Sequence, residues 1–427
     1  MPAFSNFLYV ATALVAVGNG GFTGVAAAQS SPGSHQGMTH DSSAVNPAAE
    51  AGSRFVAGAR AIGIATLATP AFNGTSAREG YLTQPMVMGS LTAFGNRVLL
   101  DGMLNFEGLT IDRGELNAGI YGEGYVDRRH PHTYLHELAL TALLGSGSSR
   151  FSMTAGKGFV PFGTDDPMSR PFVKYPVNHH LAQILERAVI SGAARYGPLA
   201  LEAARFNGDE PESPSDLPNR SRLWDSWALR ASLMHAAGAE FQVSTAEVKS
   251  PEVAQGDGLD QRKYSASLRY ERPGTRYALV EWARTADRDA GRTAFAFSSA
   301  LAEGAMTRGA MTFALRAERT QRAEEERLEN PFRSPRPHTD FNILGRTRWD
   351  IVSAGVSANL FRKSAWFVAP FVEVSRQHAS IIARPTVFIP REFYGSDRMW
   401  SLSAGMRLGA GMFHARMGRY GAAAAHH

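Results

Sequence analysis

The chain has 427 residues, 44% of them hydrophobic, with a formal net charge of +5 and no cysteine. The lack of cysteine excludes disulfide frameworks, thiolate metal sites and cysteine nucleophiles, and it suits an oxidising periplasm, where a stray thiol is a liability. Mean hydropathy is −0.20, and no window after residue 30 is long and apolar enough for a membrane helix. A membrane-spanning chain of this composition must therefore be a closed β-barrel, the other fold that satisfies its backbone in lipid. The positive charge is nearly all arginine, since only Lys157, Lys174, Lys249, Lys263 and Lys363 are lysine. The arginines are spread along strand-like segments and form no basic helix, which argues against a nucleic-acid partner.

In chain order, Phe7 to Val17 is a short, mostly apolar run, and Ala26-Ala27-Ala28 precedes Gln29 as an A-x-A cleavage site. Residues 1–28 read as a signal peptide, although Met1 to Asn6 carries no basic residue. Residues 29–53 are rich in Ser, Gly, Ala, Asn and His and read as a flexible periplasmic arm. The arm holds His35, Met38 and His40, a donor set suited to copper.

From Phe55 onward, strand-like runs are joined by two kinds of connection. Short ones fall at Gly95-Asn96, Gly145 to Ser149, Gly197-Pro198, Gly238, Pro273-Gly274, Arg308-Gly309 and Lys363-Ser364. Long ones fall at about 108–133, 161–181, 209–224, 251–260, 286–292, 323–348 and 381–397. Short and long alternate, the layout of an outer-membrane barrel with periplasmic turns and outer loops.

The strands show a period of two. Tyr264, Ala266, Leu268 and Tyr270 oppose Ser265, Ser267, Arg269 and Glu271; Met311, Phe313, Leu315 and Ala317 oppose Thr312, Ala314, Arg316 and Glu318. Val352 to Leu360 repeats the pattern, and the longest case is Trp400 to Phe413, where every even position from Trp400 to Met412 is apolar. One face then meets lipid and the other a polar lumen. Tyr264, Tyr270, Trp282, Trp366 and Trp400 are expected in interfacial girdles near strand ends. The predicted fold is all-β: a transmembrane antiparallel β-barrel of about 16 strands, within roughly 14–18. It occupies residues 54–413, followed by a C-terminal tail at 414–427. Phe55 to Leu67 supplies the first strand that parity requires.

The run Gly156-Lys157-Gly158-Phe159-Val160-Pro161-Phe162-Gly163, with the barrel pattern and the signal peptide, resembles the outer-membrane porin superfamily. A strand ending in a Pro-Phe-Gly corner is similar to the phosphate-selective and related substrate-specific porins. Their lysine ladder has no counterpart here, so phosphate selectivity is not carried over. The resemblance implies that the loop Pro161 to His180, containing Asp165, Asp166, Arg170, Lys174, Tyr175, His179 and His180, folds into the lumen. Arg128, Arg129, Arg170 and Lys174 would then set a positive field at a constriction, with Asp165 and Asp166 beside them. The alternative is a solvated outer loop.

The densest reactive cluster runs from Asp127 to Glu137 and contains His130, His132 and His136. Strand alternation from His132 puts His132 and His136 on one face and Glu137 on the other. With Asp127 on the preceding loop, and His179 and His180 approaching from the next, the cluster offers a candidate copper or zinc site. The alternative is that these side chains cap a lumen loop and hydrogen-bond to the wall. No G-x-S-x-G, P-loop, H-E-x-x-H or dinucleotide fingerprint occurs, and His136-Glu137 is half of the zincin pattern.

These features predict a non-enzymatic porin in a Gram-negative outer membrane, in contact with its lipids and with a homotrimer as the candidate assembly. It would pass small hydrophilic solutes with an anion bias. A metal-handling barrel and an outer-membrane enzyme are the other readings.

Overall fold

The computed structural model describes residues 54–111, 132–164, 169–177, 179–272, 274–325, 343–360, 366–383, 386–411 and 418–424. Sixteen strands form the wall. The first eight are β1 (Arg54–Thr69), β2 (Ala77–Ala93), β3 (Val98–Asn105), β4 (Leu135–Ser146), β5 (Ser149–Gly158), β6 (Arg187–Tyr196), β7 (Leu199–Phe206) and β8 (Ser226–Met234). The second eight are β9 (Ala239–Val248), β10 (Asp260–Arg272), β11 (Arg276–Asp289), β12 (Arg292–Arg308), β13 (Met311–Glu325), β14 (Ile343–Ala358), β15 (Trp366–Ile381) and β16 (Arg398–Gly411).

Each strand pairs with its chain neighbours, and β1 pairs antiparallel with β16 from Gly58 opposite Gly411 to Thr69 opposite Trp400. The ring leaves no open edge, so every strand's backbone is satisfied without water. No helix among the described residues is long and apolar enough to cross a membrane; the strands do so.

Alternation sets the two faces. In β16, Trp400 and Leu402 are 49% and 48% exposed, whereas Ser401 and Ser403 are 3% and 2% exposed. Leu268, Val280, Leu315 and Val352 continue the exposed apolar band around the wall. A band of this kind on a closed barrel is the lipid-facing surface of an outer-membrane protein. Phe55, Phe94, Phe151, Phe241 and Phe313 stand exposed near the short-turn end. At the loop end Arg262 lies over Trp227, 4.6 Å from the ring centroid, and Arg376 lies 5.6 Å from that of Trp400. Trp282 departs from the girdle expectation: it sits in the middle of β11, paired with Ala266 and Ala300.

The short connections at 95–96, 145–149, 197–198, 238 and 308–309 are all tight turns between paired strands. The expected long loop at 286–292 is corrected. β11 and β12 pair up to Asp289 and Arg292, and only Ala290-Gly291 joins them, with φ of 46° and 82°. Two positive φ values give the turn twist that suits a hairpin, so charged Arg288, Asp289 and Arg292 extend the strands instead of forming a loop. Lys363-Ser364 lies outside the described residues.

Candidate functional site

Two segments enter the bore. The first follows β5. At the Pro161-Phe162-Gly163 corner the chain turns inward because Gly163 has φ of 70° and a Cβ there would lie 1.6 Å from the carbonyl oxygen of Ala182. Only glycine permits that approach. The Gly163 amide donates to Ser244 Oγ of β9 at 3.0 Å.

Beyond the corner, Arg170 donates to Glu281 of β11 at 3.1 Å and to Thr164 at 2.7 Å, and stands 3.8 Å from Glu303 of β12. The Val173 amide donates to Glu373 of β15 at 2.6 Å, and the Val177 amide to Glu318 of β13 at 2.8 Å. Arg316 of β13 donates to the Lys174 carbonyl at 2.8 Å, and its guanidinium stacks on Phe172. Arg407 of β16 donates to the Pro171 carbonyl at 2.7 Å, and Gln84 of β2 donates to Tyr175 Oη at 3.1 Å. The loop is therefore bonded to the wall from β9 round to β2. Lumen-facing carboxylates take its amides and cations, which satisfies polar groups buried on both sides.

Lys174 Nζ donates to Ser401 Oγ at 3.0 Å. Burial pushes its ammonium down to about 7, against the opposing pull of Glu373 and Glu318.

The second segment comprises residues 418–424, which lie against the lumen side of the wall. Arg419 is buried, donates to Ser232 Oγ at 2.8 Å and Gln242 at 3.1 Å, pairs with Glu240, and lies 3.7 Å from Glu202. Tyr420 Oη donates to Glu137 at 2.6 Å and accepts the Phe159 amide at 3.0 Å. Burial and the Glu137 charge hold that phenol well above its ordinary range. The Ala422 amide donates to Ser152 Oγ at 2.9 Å, and Arg195 donates to the Ala424 carbonyl at 3.0 Å. The tail thus lies on β4–β9, the part of the wall that the loop leaves mostly uncovered.

The histidine cluster sits where β4 begins. Strand alternation makes Leu138 and Leu140 exposed, so position 136 should face lipid. A bulge corrects this: Leu104 pairs with Leu135 and Met103 with Glu137, and β4 steps past His136. Both His136 and Glu137 are consequently buried on the lumen side, unlike the opposite-face expectation. A bulge re-aims a side chain in this way at small cost to the ladder.

His132 Nδ1 and His136 Nδ1 lie 2.7 and 2.8 Å from the same oxygen, Oε1 of Glu186. The other oxygen, Oε2, accepts the Thr133 amide at 2.9 Å and lies 2.6 Å from Thr133 Oγ1 and 3.6 Å from Lys157 Nζ. Burial alone would raise the Glu186 carboxyl. The neighbouring His136 and His132 outweigh it and hold the group well below the usual carboxylate range.

Of the sequence-predicted residues, the structure joins His132 and His136 and places Arg170 and Lys174 on the inserted loop. His179 and His180 begin a short helix, His179–Ala182, and the positions of their side chains are not described. Arg128, Arg129, His130, Asp165 and Asp166 lie outside the described residues, as do Asp127 and the arm histidines. Sequence reasoning missed Glu186, Glu281, Glu303 and Glu373, and it read the C-terminus as a plain tail. An acidic residue at a lumen position of an alternating strand, such as Glu281 between Val280 and Trp282, was the available signal for three of the four.

No protein-family model matches the chain, and no curated protein matches it by sequence. Solved structures do. The anion-selective porin from Comamonas acidovorans superposes with a TM-score of 0.50 at 10% identity, over 84% of this chain and 100% of that one. In vitro folded OmpT from Vibrio cholerae, a trimer form, gives 0.48 at 7% identity, over 84% and 99%. OmpF from Salmonella typhi gives 0.48 at 9% identity, over 83% and 98%. The fold is that of a porin-like outer-membrane β-barrel.

Proposed function

We propose that this protein is a non-enzymatic outer-membrane channel for small hydrophilic solutes, closed by two inserted segments and anion-biased when they yield. The observation that carries this reading is the loop around Arg170 and Lys174, which crosses the bore on lumen-facing carboxylates. The anion bias rests on arginines held by carbonyl oxygens and not by carboxylates. Arg407 bonds to Pro171 O, and Arg195, near the short-turn mouth, bonds to the carbonyls of Gly197 and Ala424. Their charge is left to act on a permeating ion. The anion selectivity named for the Comamonas porin agrees with this bias, and the trimer form of OmpT agrees with a homotrimer. The non-enzymatic part is supported by the geometry of the imidazole pair His132 and His136, both of which lie against the Glu186 carboxylate.

The test is planar-bilayer recording of the refolded protein under a potassium chloride gradient, alongside a variant lacking residues 418–427. Rare openings in the full chain, frequent ones in the variant and a reversal potential toward chloride are expected. Silence from both folded proteins, or a reversal potential toward potassium, overturns the reading.

A further inference from the structure

We propose that His132, His136 and Glu186 form a binding site for one divalent transition-metal ion, with zinc as the reference ligand. The inference is independent of whether the barrel conducts.

Three observations carry it. First, the donor atoms converge: both Nδ1 atoms lie within 2.8 Å of Glu186 Oε1, and the three residues can bring one ligand atom each within 4.8 Å of the others. Tetrahedral zinc holds nitrogen and oxygen ligands at about 2.0–2.2 Å. Ligand atoms on such an ion stand roughly 3.3 Å apart, so side-chain adjustments of about 0.5–1.5 Å admit it. Two imidazoles and one carboxylate are a set that zinc and copper(II) accept.

Second, the surroundings are built as metal sites build them. Thr133 and Lys157 hold Glu186 Oε2, which aims Oε1 at the imidazoles. On the far side of His132, Glu107 Oε2 lies 3.9 Å from Nε2. Glu107 is anchored through Oε1 by Thr83 and by the Gln84 amide, while its Oε2 is buried with no hydrogen-bond partner. A carboxylate behind a ligating histidine orients the ring and raises its basicity. Glu107, Thr133 and Lys157 are positioning residues in this arrangement.

Third, His136 is fully buried, its Nε2 has no partner, and a strand bulge is needed to keep it out of lipid. Beside the site, a cavity of 180 Å³ is lined by Glu186 and Lys157 and by Asp209, Glu210, Glu212 and Asp216.

The test is calorimetric titration of the chelator-stripped, refolded full-length barrel with zinc chloride, repeated on His136→Ala, Glu186→Gln and Glu107→Gln. X-ray absorption at the zinc edge is recorded on the loaded protein. The expectation is one zinc ion that is lost in the first two variants, a roughly 10–100-fold weaker affinity in Glu107→Gln, and a coordination shell with two imidazoles. Heat-dependent gel mobility checks that each variant is folded. If His136→Ala does not fold, the graded loss in Glu107→Gln and the two-imidazole shell decide the matter. No zinc bound by the folded wild type, unchanged affinity in the folded variants, or a shell without imidazole overturns the proposal.

Discussion

Tyr420 donates a 2.6 Å hydrogen bond to Glu137, joining the C-terminal segment to β4 next to His136. The same phenol oxygen accepts the amide of Phe159, at the root of the inserted loop. One side chain therefore ties together the tail, the wall and the loop, and release of the tail removes a support from the loop. Tyr420→Phe takes this hydrogen bond from the buried Glu137 carboxylate. A charged hydrogen bond of this kind contributes about 1.5–3 kcal/mol, so the undocked tail should become roughly ten- to a hundred-fold more populated. The expected readout is a matching rise in open probability in planar bilayers; an unchanged open probability would show that the tail does not control the bore.

Glu281 holds both Arg170 and Thr164. Glu281→Gln removes the charge that compensates Arg170, and breaking one partner of a buried pair costs about 3–5 kcal/mol. The low end is expected because Glu303 remains 3.8 Å away. The loop should detach more often, seen as faster tryptic cleavage after Lys174, the bond after Arg170 being shielded by Pro171, and as noisier current. Cleavage as slow as in the wild type would place the loop's anchor elsewhere.

Gly163→Ala acts on the same loop by sterics alone. The added methyl would meet the Ala182 carbonyl and force a φ of 70° on a residue that avoids it. The barrel should still assemble, with loosened loop contacts and a larger unitary conductance. Wild-type conductance and protease resistance would mean the corner tolerates a side chain.

Lys174 is expected to give conduction a pH dependence. Its ammonium, ordinarily near 10.5, is pushed to about 7 by burial, with Glu373 and Glu318 opposing and Arg316 adding to the shift. Below pH 7 the inserted side chain is charged, and above it neutral. Under a salt gradient the reversal potential should move toward chloride as pH falls from about 8 to 6, and Lys174→Met should flatten the change. The stability sign follows. Between about 7 and 10.5 the unfolded chain binds the proton that the folded one has released, so stability rises with pH across that window. It is lowest, for this group, below pH 7. A loop that docks more tightly at pH 6 than at pH 9 would contradict this.

On the lipid face, Val280 stands exposed mid-wall, in register with Leu268 and Ala302. Val280→Arg should lower the unfolding free energy in lipid vesicles by about 2–4 kcal/mol. Equilibrium urea unfolding measures it, and a change below 0.5 kcal/mol (about the scatter expected of a neutral surface substitution) would place that position outside the bilayer.

The barrel was legible in the sequence because its rule is local. Lipid demands an apolar side chain at every second position, and the chain shows that period directly, as from Trp400 to Met412. Strand number followed from the parity of short and long connections, and the Pro161-Phe162-Gly163 corner marked the loop that turns inward. The failures share one cause. His136 should face lipid by alternation, and a bulge that no local pattern announces turns it into the lumen beside Glu137. Glu186, which brings His132 and His136 together, lies 50 positions after His136 and on no motif. The docking of Arg419 and Tyr420 depends on Glu240 and Glu137, carboxylates whose lumen positions exist only once the ring is closed. The sequence by itself determined the wall, since each strand's two faces are chosen by solvent alone. The tertiary structure decided what fills the bore, because a buried charge is settled by whichever distant partner the closed fold sets within a few ångströms.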